Sequence, residues 1–328
     1  DYDKQSEIPY MWAESSQYWY RGKAVAKLKG GDLFTAPEIV LAADESGTVI
    51  LPEPDGTPLK PIDIEAMVEK NRELMEIIEE ATVKKIAAIY EKYKNKLDIF
   101  HVAFSGGKDS SVLFDLVRRA LPQKSFVVVF GDTGMEFPDT YDLVEKTRQV
   151  CESENIPFYS AKSHFEPSES WKLFGPPSQS LRWCCSVHKS TPQTLKLREI
   201  TNKIDYTGLD FVGVRAHESA SRSEYEYENF GAKQKGQYSF NAILEWTSAE
   251  IWLYIYKNKL DINLAYKKGN SRAGCLVCPM SSNSSLYARK TCYSGQVDTF
   301  VNLIIESNAW DADSKIDSKT YLTNGSHG

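Results

Sequence analysis

The chain has 328 residues, with 39 Lys plus Arg against 45 Asp plus Glu and a formal net charge of −6. With a pI near 5.6 it carries no overall basic field to draw in nucleic acid, so any anion has to be gripped locally. No run approaches the roughly 18 apolar residues that span a bilayer, and the N-terminal DYDKQSEIPYMW lacks a basic-then-apolar leader pattern, so a cytoplasmic, non-membrane protein is expected. The chain starts without Met and ends in the small polar string TNGSHG, as a trimmed or tagged chain does.

In chain order, residues 1–62 read as a small β-rich N-terminal appendage: short β-like runs, YWYRGKAVAKL and EIVLA, are broken by GG, SG and the turn-rich PEPDGTPLKP. From Asp63 to about Tyr93 a single long helix is expected, with Leu74, Ile77, Ile78, Ala81, Ile86, Ile89 and Tyr93 near one face. The main domain, expected over 63–300, alternates apolar strands (DIFHVAF, SFVVVF, DFVGV) with amphipathic stretches (SSVLFDLVRRAL, DTYDLVEKTRQVCES). That rhythm argues for an α/β fold, a mostly parallel sheet with helices on both faces and ligands beyond the C-terminal strand ends. TSAEIWLYIYKNK opens with Thr247 three residues before Glu250, a capping-box pattern that predicts a helix. Residues 301–328 read as a helix end followed by a polar tail.

SGGKDS, residues 105–110, sits between a predicted strand and a predicted helix. Its glycines let backbone approach a ligand closely, the helix start presents free N–H groups, and Ser105, Lys108 and Ser110 add donors and a positive charge. The spacing is not that of a Walker A loop, and a plain Gly-rich turn is the alternative. The next strand empties into GDTGMEFPDTY, which puts Asp132, Thr133 and Gly134 at the neighbouring strand end and makes one shared site the better reading. The six cysteines are Cys151, Cys184, Cys185, Cys275, Cys278 and Cys292, four of them clustered. Cys275 and Cys278 form a CxxC followed by Pro279, with spacing suited to zinc or to an iron–sulfur cluster. The adjacent pair Cys184–Cys185 suits a cubane, whose separate iron atoms accept neighbouring thiolates. His101 reads as a packed strand histidine, His188 and His217 carry no clear role, Cys151 reads as a buried helix thiol, and Trp246, Trp252, Tyr254 and Tyr256 read as core.

SGGKDS, DTGMEFPDTY, RWCCSVHKSTP, GVRAHESASR and NLAYKKGNSRAGCLVCP together, over about Asp98 to Pro279, resemble the phosphoadenylyl-sulfate (PAPS) and adenylyl-sulfate (APS) reductase family of the PP-loop, or adenine-nucleotide α-hydrolase-like, superfamily. The resemblance implies a Rossmann-like sheet. It makes Ser105, Gly106, Gly107, Lys108, Asp109 and Ser110 the anion loop for an adenine nucleotide, sets Asp132, Thr133 and Gly134 near the nucleoside, and gives Arg215, Ser219 and Arg222 the ligand's anionic groups. It also implies a [4Fe-4S] cluster on Cys184, Cys185, Cys275 and Cys278, with zinc as the alternative, and leaves Lys108 and Lys189 as candidate catalytic residues.

The reductases carry a catalytic cysteine in a Glu-Cys-Gly-Leu-His segment, and after Cys278 this chain has only Cys292, in RKTCYSG. Three functions therefore stay open: sulfonucleotide reduction of APS or PAPS with a thiol reductant, ATP-dependent sulfur transfer to nucleic acid by adenylation with a sulfur-donor protein, and a non-catalytic nucleotide-binding module.

Overall fold

The computed structural model describes residues 11–14, 16–20, 23–49, 63–230 and 236–308. The loop PEPDGTPLKP and the polar tail after residue 308 lie outside these. Near the N-terminus, β1 (Met11–Glu14), β2 (Gln17–Tyr20), β3 (Lys23–Lys29) and β4 (Glu38–Leu41) form a four-stranded antiparallel sheet in sequence order. Leu33, in the β3–β4 connection, packs against the buried cluster of Phe137, Ala265, Leu276, Tyr293 and Val297 in the main body.

The stretch expected as one helix is two: α1 (Ile64–Lys70) and α2 (Arg72–Tyr93), meeting at Asn71. The buried stripe of α2 is Met75, Glu79, Thr82, Ile86 and Ile89, whereas Leu74 and Ile77 are exposed. Periodicity alone misses this because Glu79 counts as polar. It is buried because Arg119 Nη1, 3.0 Å away, and Lys257 Nζ, 2.8 Å away, neutralise it.

The second sheet has six strands. β5 (Ile99–Phe104), β6 (Val127–Asp132), β7 (Phe158–Lys162), β8 (Gly208–Phe211), β9 (Glu228–Phe230) and β10 (Gln237–Phe240) lie in the spatial order β7-β6-β5-β8-β10-β9. All neighbours are parallel except β9, which runs antiparallel to β10. β8 starts and stops earlier than the run DFVGV suggests, and Val212 to Val214 lead out of the sheet. Strand alternation splits the core. Phe100, Val102, Phe104, Val128 and Phe130 face α2, α3 (Lys108–Ala120), α4 (Pro138–Ser153) and a later helix over Ser248–Lys257, while Ile99, Val129 and Ala161 face Leu197 on the other side. The helix over Ser248–Lys257 carries the expected Thr247–Glu250 capping box. From β5 the chain winds outward through β6 and β7, then returns to place β8 on the other flank of β5. The β5–β8 boundary is therefore the topological switch point, where open parallel sheets take ligands. Among the described residues no helix is long and apolar enough to cross a membrane.

Candidate functional site

SGGKDS joins β5 to α3 at that switch point. Gly106 has φ +66°, and a Cβ there would lie 2.7 Å from Thr140 Cγ2, so glycine is required twice over. Ser110 Oγ donates to Gly107 O at 2.9 Å and accepts from Ser105 N–H at 3.2 Å, which closes the loop on itself. Asn263 Nδ2 donates to Gly106 O and to Thr140 Oγ1, both at 2.9 Å, and the Lys108 N–H donates to Tyr266 Oη at 2.9 Å. The segment Asn263 to Tyr266 therefore buttresses the loop from a distant part of the chain.

The charges are concentrated. Lys108 Nζ lies 2.7 Å from Asp109 Oδ2, and Arg215, delivered by the loop after β8 and 4% exposed, places Nε 2.6 Å from Asp109 Oδ1. Glu218 faces Arg215 at 3.7 Å and pairs with Arg222. Gly213, where the chain leaves β8, packs on α3 so closely that a Cβ would sit 3.1 Å from the Asp109 carbonyl carbon. Burial holds the Lys108 ammonium below its ordinary range; Asp109 opposes this, and Arg215 and Arg272 add to it. Arg222 is likewise lowered, by burial first and then by Arg272. Four cations thus crowd two carboxylates at the start of α3, an arrangement suited to a polyanion.

Asp132 closes its own turn, accepting from Gly134 N–H at 2.9 Å and from Tyr141 Oη at 2.8 Å. Thr133 is turned toward the cysteine segment: its Oγ1 donates to Glu136 Oε1 at 2.9 Å and lies 3.5 Å from Cys275 Sγ. Ser219 is exposed, as is His217, and neither joins the charged group. His101 is buried with Nε2 3.5 Å from Asp210, and burial outweighs that carboxylate and pulls the imidazole to about 4.

The cysteines come from two segments. Cys184 and Cys185 lie in a short helical turn, Trp183–Cys185, that continues through a π-helical turn, Ser186–Ser190, into the helix Thr191–Thr201. Such π turns recur at functional sites. Cys275 and Cys278 lie in a turn closed by the Cys278 N–H donating to Cys275 O at 3.2 Å and anchored by the Leu276 N–H on Met135 O at 2.7 Å. Gln179 Nε2 donates to Pro279 O at 3.2 Å and ties the segments together, and Cys184 and Cys275 share one apolar cluster with Trp171 and Trp183. Cys184 is held above the ordinary thiol range, first by its hydrogen bond to Cys185, and Cys185 below it by the same bond, then by Arg182 and Lys189. Burial raises Glu136, and Lys189 opposes this. Among the described residues, however, no three His, Cys, Asp or Glu side chains converge closely enough to enclose a metal ion. His188 is buried, 2.8 Å from Ser170 Oγ, with Nδ1 unpartnered.

Arg272, Glu218, Asn263, Tyr266, Glu136 and Arg289 escape the sequence reading. Arg272 and Tyr266 sit inside the quoted NLAYKKGNSRAGCLVCP, three residues before Cys275 and nine before it, but nothing in the spacing says that they turn back onto SGGKDS.

The sequence model of the phosphoadenosine phosphosulfate reductase domain matches residues 99–281, more than half of the chain. The chain belongs to that family. The PAPS reductase domain sits in the PP-loop superfamily, and its span runs from the start of β5 to just past the CxxC turn. Two uncharacterized proteins of Methanocaldococcus jannaschii are 33% and 34% identical to this chain over 243 and 213 residues, which is 74% and 65% of it. This chain covers 56% and 42% of those proteins, so it spans about half their length. Adenosine 5'-phosphosulfate reductase of Geobacillus kaustophilus is 28% identical over 214 residues, 63% of this chain and 84% of that enzyme. The structure of PAPS reductase from Candida auris, a phosphate complex, covers 58% of this chain and 87% of its own, at 17% identity and a TM-score of 0.43.

Proposed function

We propose that this PAPS-reductase-family protein is an enzyme that binds an adenine nucleotide by its anionic end at SGGKDS and acts in sulfonucleotide reduction of APS or PAPS. The observation that carries this reading is the cationic group at the switch point: Lys108 and Arg222 both held below their ordinary range, Arg215 buried on Asp109, and Arg272 alongside. A bound phosphosulfate would relieve that crowding. In this reading Ser105, Gly106, Gly107 and Ser110 shape the loop, Lys108 and Arg215 neutralise the phosphosulfate, Arg222 and Ser219 close the outer side, and Asp132, Thr133 and Gly134 border the nucleoside. The division into an appendage over 1–62, a nucleotide domain over 63–300 and a terminal segment is part of the proposal, although the helix Ser294–Asn308 runs through residue 300.

Cys184, Cys185, Cys275 and Cys278 fit a [4Fe-4S] cluster in donor chemistry: four soft thiols on two tied segments, with buried Arg289 nearby, which has no carboxylate partner among the described residues. When bound, the cluster would supply redox and electrostatic chemistry beside the sulfur end of the nucleotide. Lys189, within reach of Glu136, Cys185 and Cys275, would hold the sulfate end toward that side. The attacking thiolate comes from a thiol donor. It bonds to the nucleotide sulfur, the S–O bond to phosphate breaks, and the adenosine phosphate leaves with the electron pair. A second thiolate then displaces sulfite and leaves a disulfide. Cys151 is unsuited to the first step, since burial pushes it up to about 12.

A second reading is favoured by the same surplus of charge. Four cations on two carboxylates accept a triphosphate as readily as a phosphosulfate, which suits ATP-dependent adenylation and sulfur transfer to nucleic acid. Anaerobically purified protein decides between them. Sulfite released from APS or PAPS with thioredoxin supports reduction, whereas ATP-dependent pyrophosphate release with nucleic acid present supports transfer. Nucleotide binding without either product points to a non-catalytic module. Iron, sulfide and zinc analysis of wild type and Cys275→Ser tests the metal assignment. Iron and sulfide that vanish in the variant support the cluster, zinc alone replaces it, and metal unaffected by Cys275→Ser overturns the ligand set.

A further inference from the structure

Arg289, in the helix Asn283–Cys292, is 5% exposed, and among the described residues no carboxylate pairs with it. Its guanidinium is spent on backbone and neutral groups around the CxxC turn. Nη1 donates to Cys275 O at 3.3 Å, to Leu276 O at 3.0 Å and to Ser281 Oγ, and Nε donates to Asn270 Oδ1 at 3.2 Å. The guanidinium carbon lies 5.0 Å from the centroid of the Phe137 ring. Among the described residues the other strongly buried lysines and arginines have a carboxylate: Lys108 and Arg215 share Asp109, and, elsewhere in the fold, Lys257 has Glu79. An arginine does not shed its proton in such a setting, and burying its charge with no counter-ion is strongly unfavourable. The backbone it binds is the turn that carries Cys275 and Cys278, and Cys275 shares an apolar cluster with Cys184.

We infer that Arg289 is a positioning residue for the thiol site: it moulds the Cys275–Pro279 turn by binding its carbonyls, and its buried charge is the counter-ion of an anionic thiolate centre formed there. The inference rests on the four-thiolate reading above. Such a centre carries net negative charge on its sulfurs, so a fixed cation against its backbone favours assembly and favours the reduced over the oxidised form. Neutral substitution therefore weakens metal retention and lowers the reduction potential, while a lysine keeps the charge and loses only part of the carbonyl contacts.

The test uses the full chain, purified anaerobically as wild type, Arg289→Gln and Arg289→Lys, with circular dichroism to verify folding. The readouts are iron and sulfide per chain and the midpoint potential from a dye-mediated titration followed by electron paramagnetic resonance. Arg289→Gln is expected to lose roughly 10-fold in metal affinity, the usual scale for an outer-shell group, and to shift the potential of what remains downward; Arg289→Lys is expected to restore the wild-type potential. Full iron with an unchanged potential in Arg289→Gln overturns the inference and leaves the cluster standing. If Arg289→Gln does not fold, Arg289→Lys decides alone, since loss of the centre with the charge retained overturns the role as counter-ion. A wild type that takes up no iron is titrated with cobalt(II): thiolate charge-transfer absorption that is weakened in Arg289→Gln keeps the inference for a different metal, and no such absorption overturns both the reading and the inference.

Discussion

The SGGKDS loop, proposed above as an anion seat, and the four clustered cysteines lie within one family domain but are built in opposite ways. The seat hangs from the ends of adjacent central strands, and each of its parts has a partner: Gly106 is wedged against Thr140, Asp109 is clamped by Lys108 and Arg215, and Asn263 and Tyr266 brace the loop. The cysteines come from a helical turn and a loop turn outside the sheet, and among the described residues Nδ1 of His188 and the Nε1 atoms of Trp171 and Trp183 have no partner and buried Arg289 has no carboxylate. Rigid strand ends hold the first arrangement more precisely than connecting segments hold the second.

The strongest test of that contrast is Arg215→Ala, which strands Asp109 with one partner; loss of about 3–5 kcal/mol in denaturant unfolding is expected, and a change below 1 kcal/mol would show that the clamp is not pre-formed. Lys108→Ala should weaken ATP, APS or PAPS binding by roughly 10- to 100-fold in calorimetry, the scale of a charged hydrogen bond, while leaving iron content unchanged; metal loss in this variant would merge the two sites. His101, on the strand that carries the seat, is neutral when folded, with its pKa pulled from 6.5 to about 4. The unfolded chain therefore binds the extra proton between those values, and stability present above pH 6.5 is lost as pH falls toward 4, at up to about 1.4 kcal/mol per unit. Unfolding at pH 7 and pH 5 should differ by about 2 kcal/mol from this group, and His101→Gln should flatten that part of the profile. Gly106→Ala should cost about 1–2 kcal/mol from the left-handed backbone, plus the contact with Thr140, and should weaken nucleotide binding without moving the thiols.

Much of the seat is legible in the sequence because its logic is local. A buried apolar strand, two glycines and a helix start dictate a tight strand-to-helix loop, although Ser110 and Tyr266 take the N–H groups of Ser105 and Lys108, and the β-branched run SFVVVF places Asp132 one strand away. Arg215 is legible as a candidate from its place after a strand. That it is buried on Asp109, and that Tyr266 and Arg272 join from three residues before and three residues after Gly269, follow from loops folding over the sheet edge, which no periodicity encodes. Glu79 shows the same limit in the core, a charge made buriable only by Arg119 and Lys257 from two other helices.

By itself the sequence determined the mostly parallel α/β architecture, the position of the SGGKDS loop between a strand and a helix, and the four clustered cysteines, because each follows from strand hydrophobicity, backbone freedom at glycine and residue identity within a few positions. Only the tertiary structure decided which charges meet at Asp109, that Thr133 faces Cys275, and that Arg289 closes around the CxxC turn without a carboxylate. Those are pairings between segments more than a hundred residues apart, or burials without a counter-ion, and their energies exist only once the chain has closed on itself.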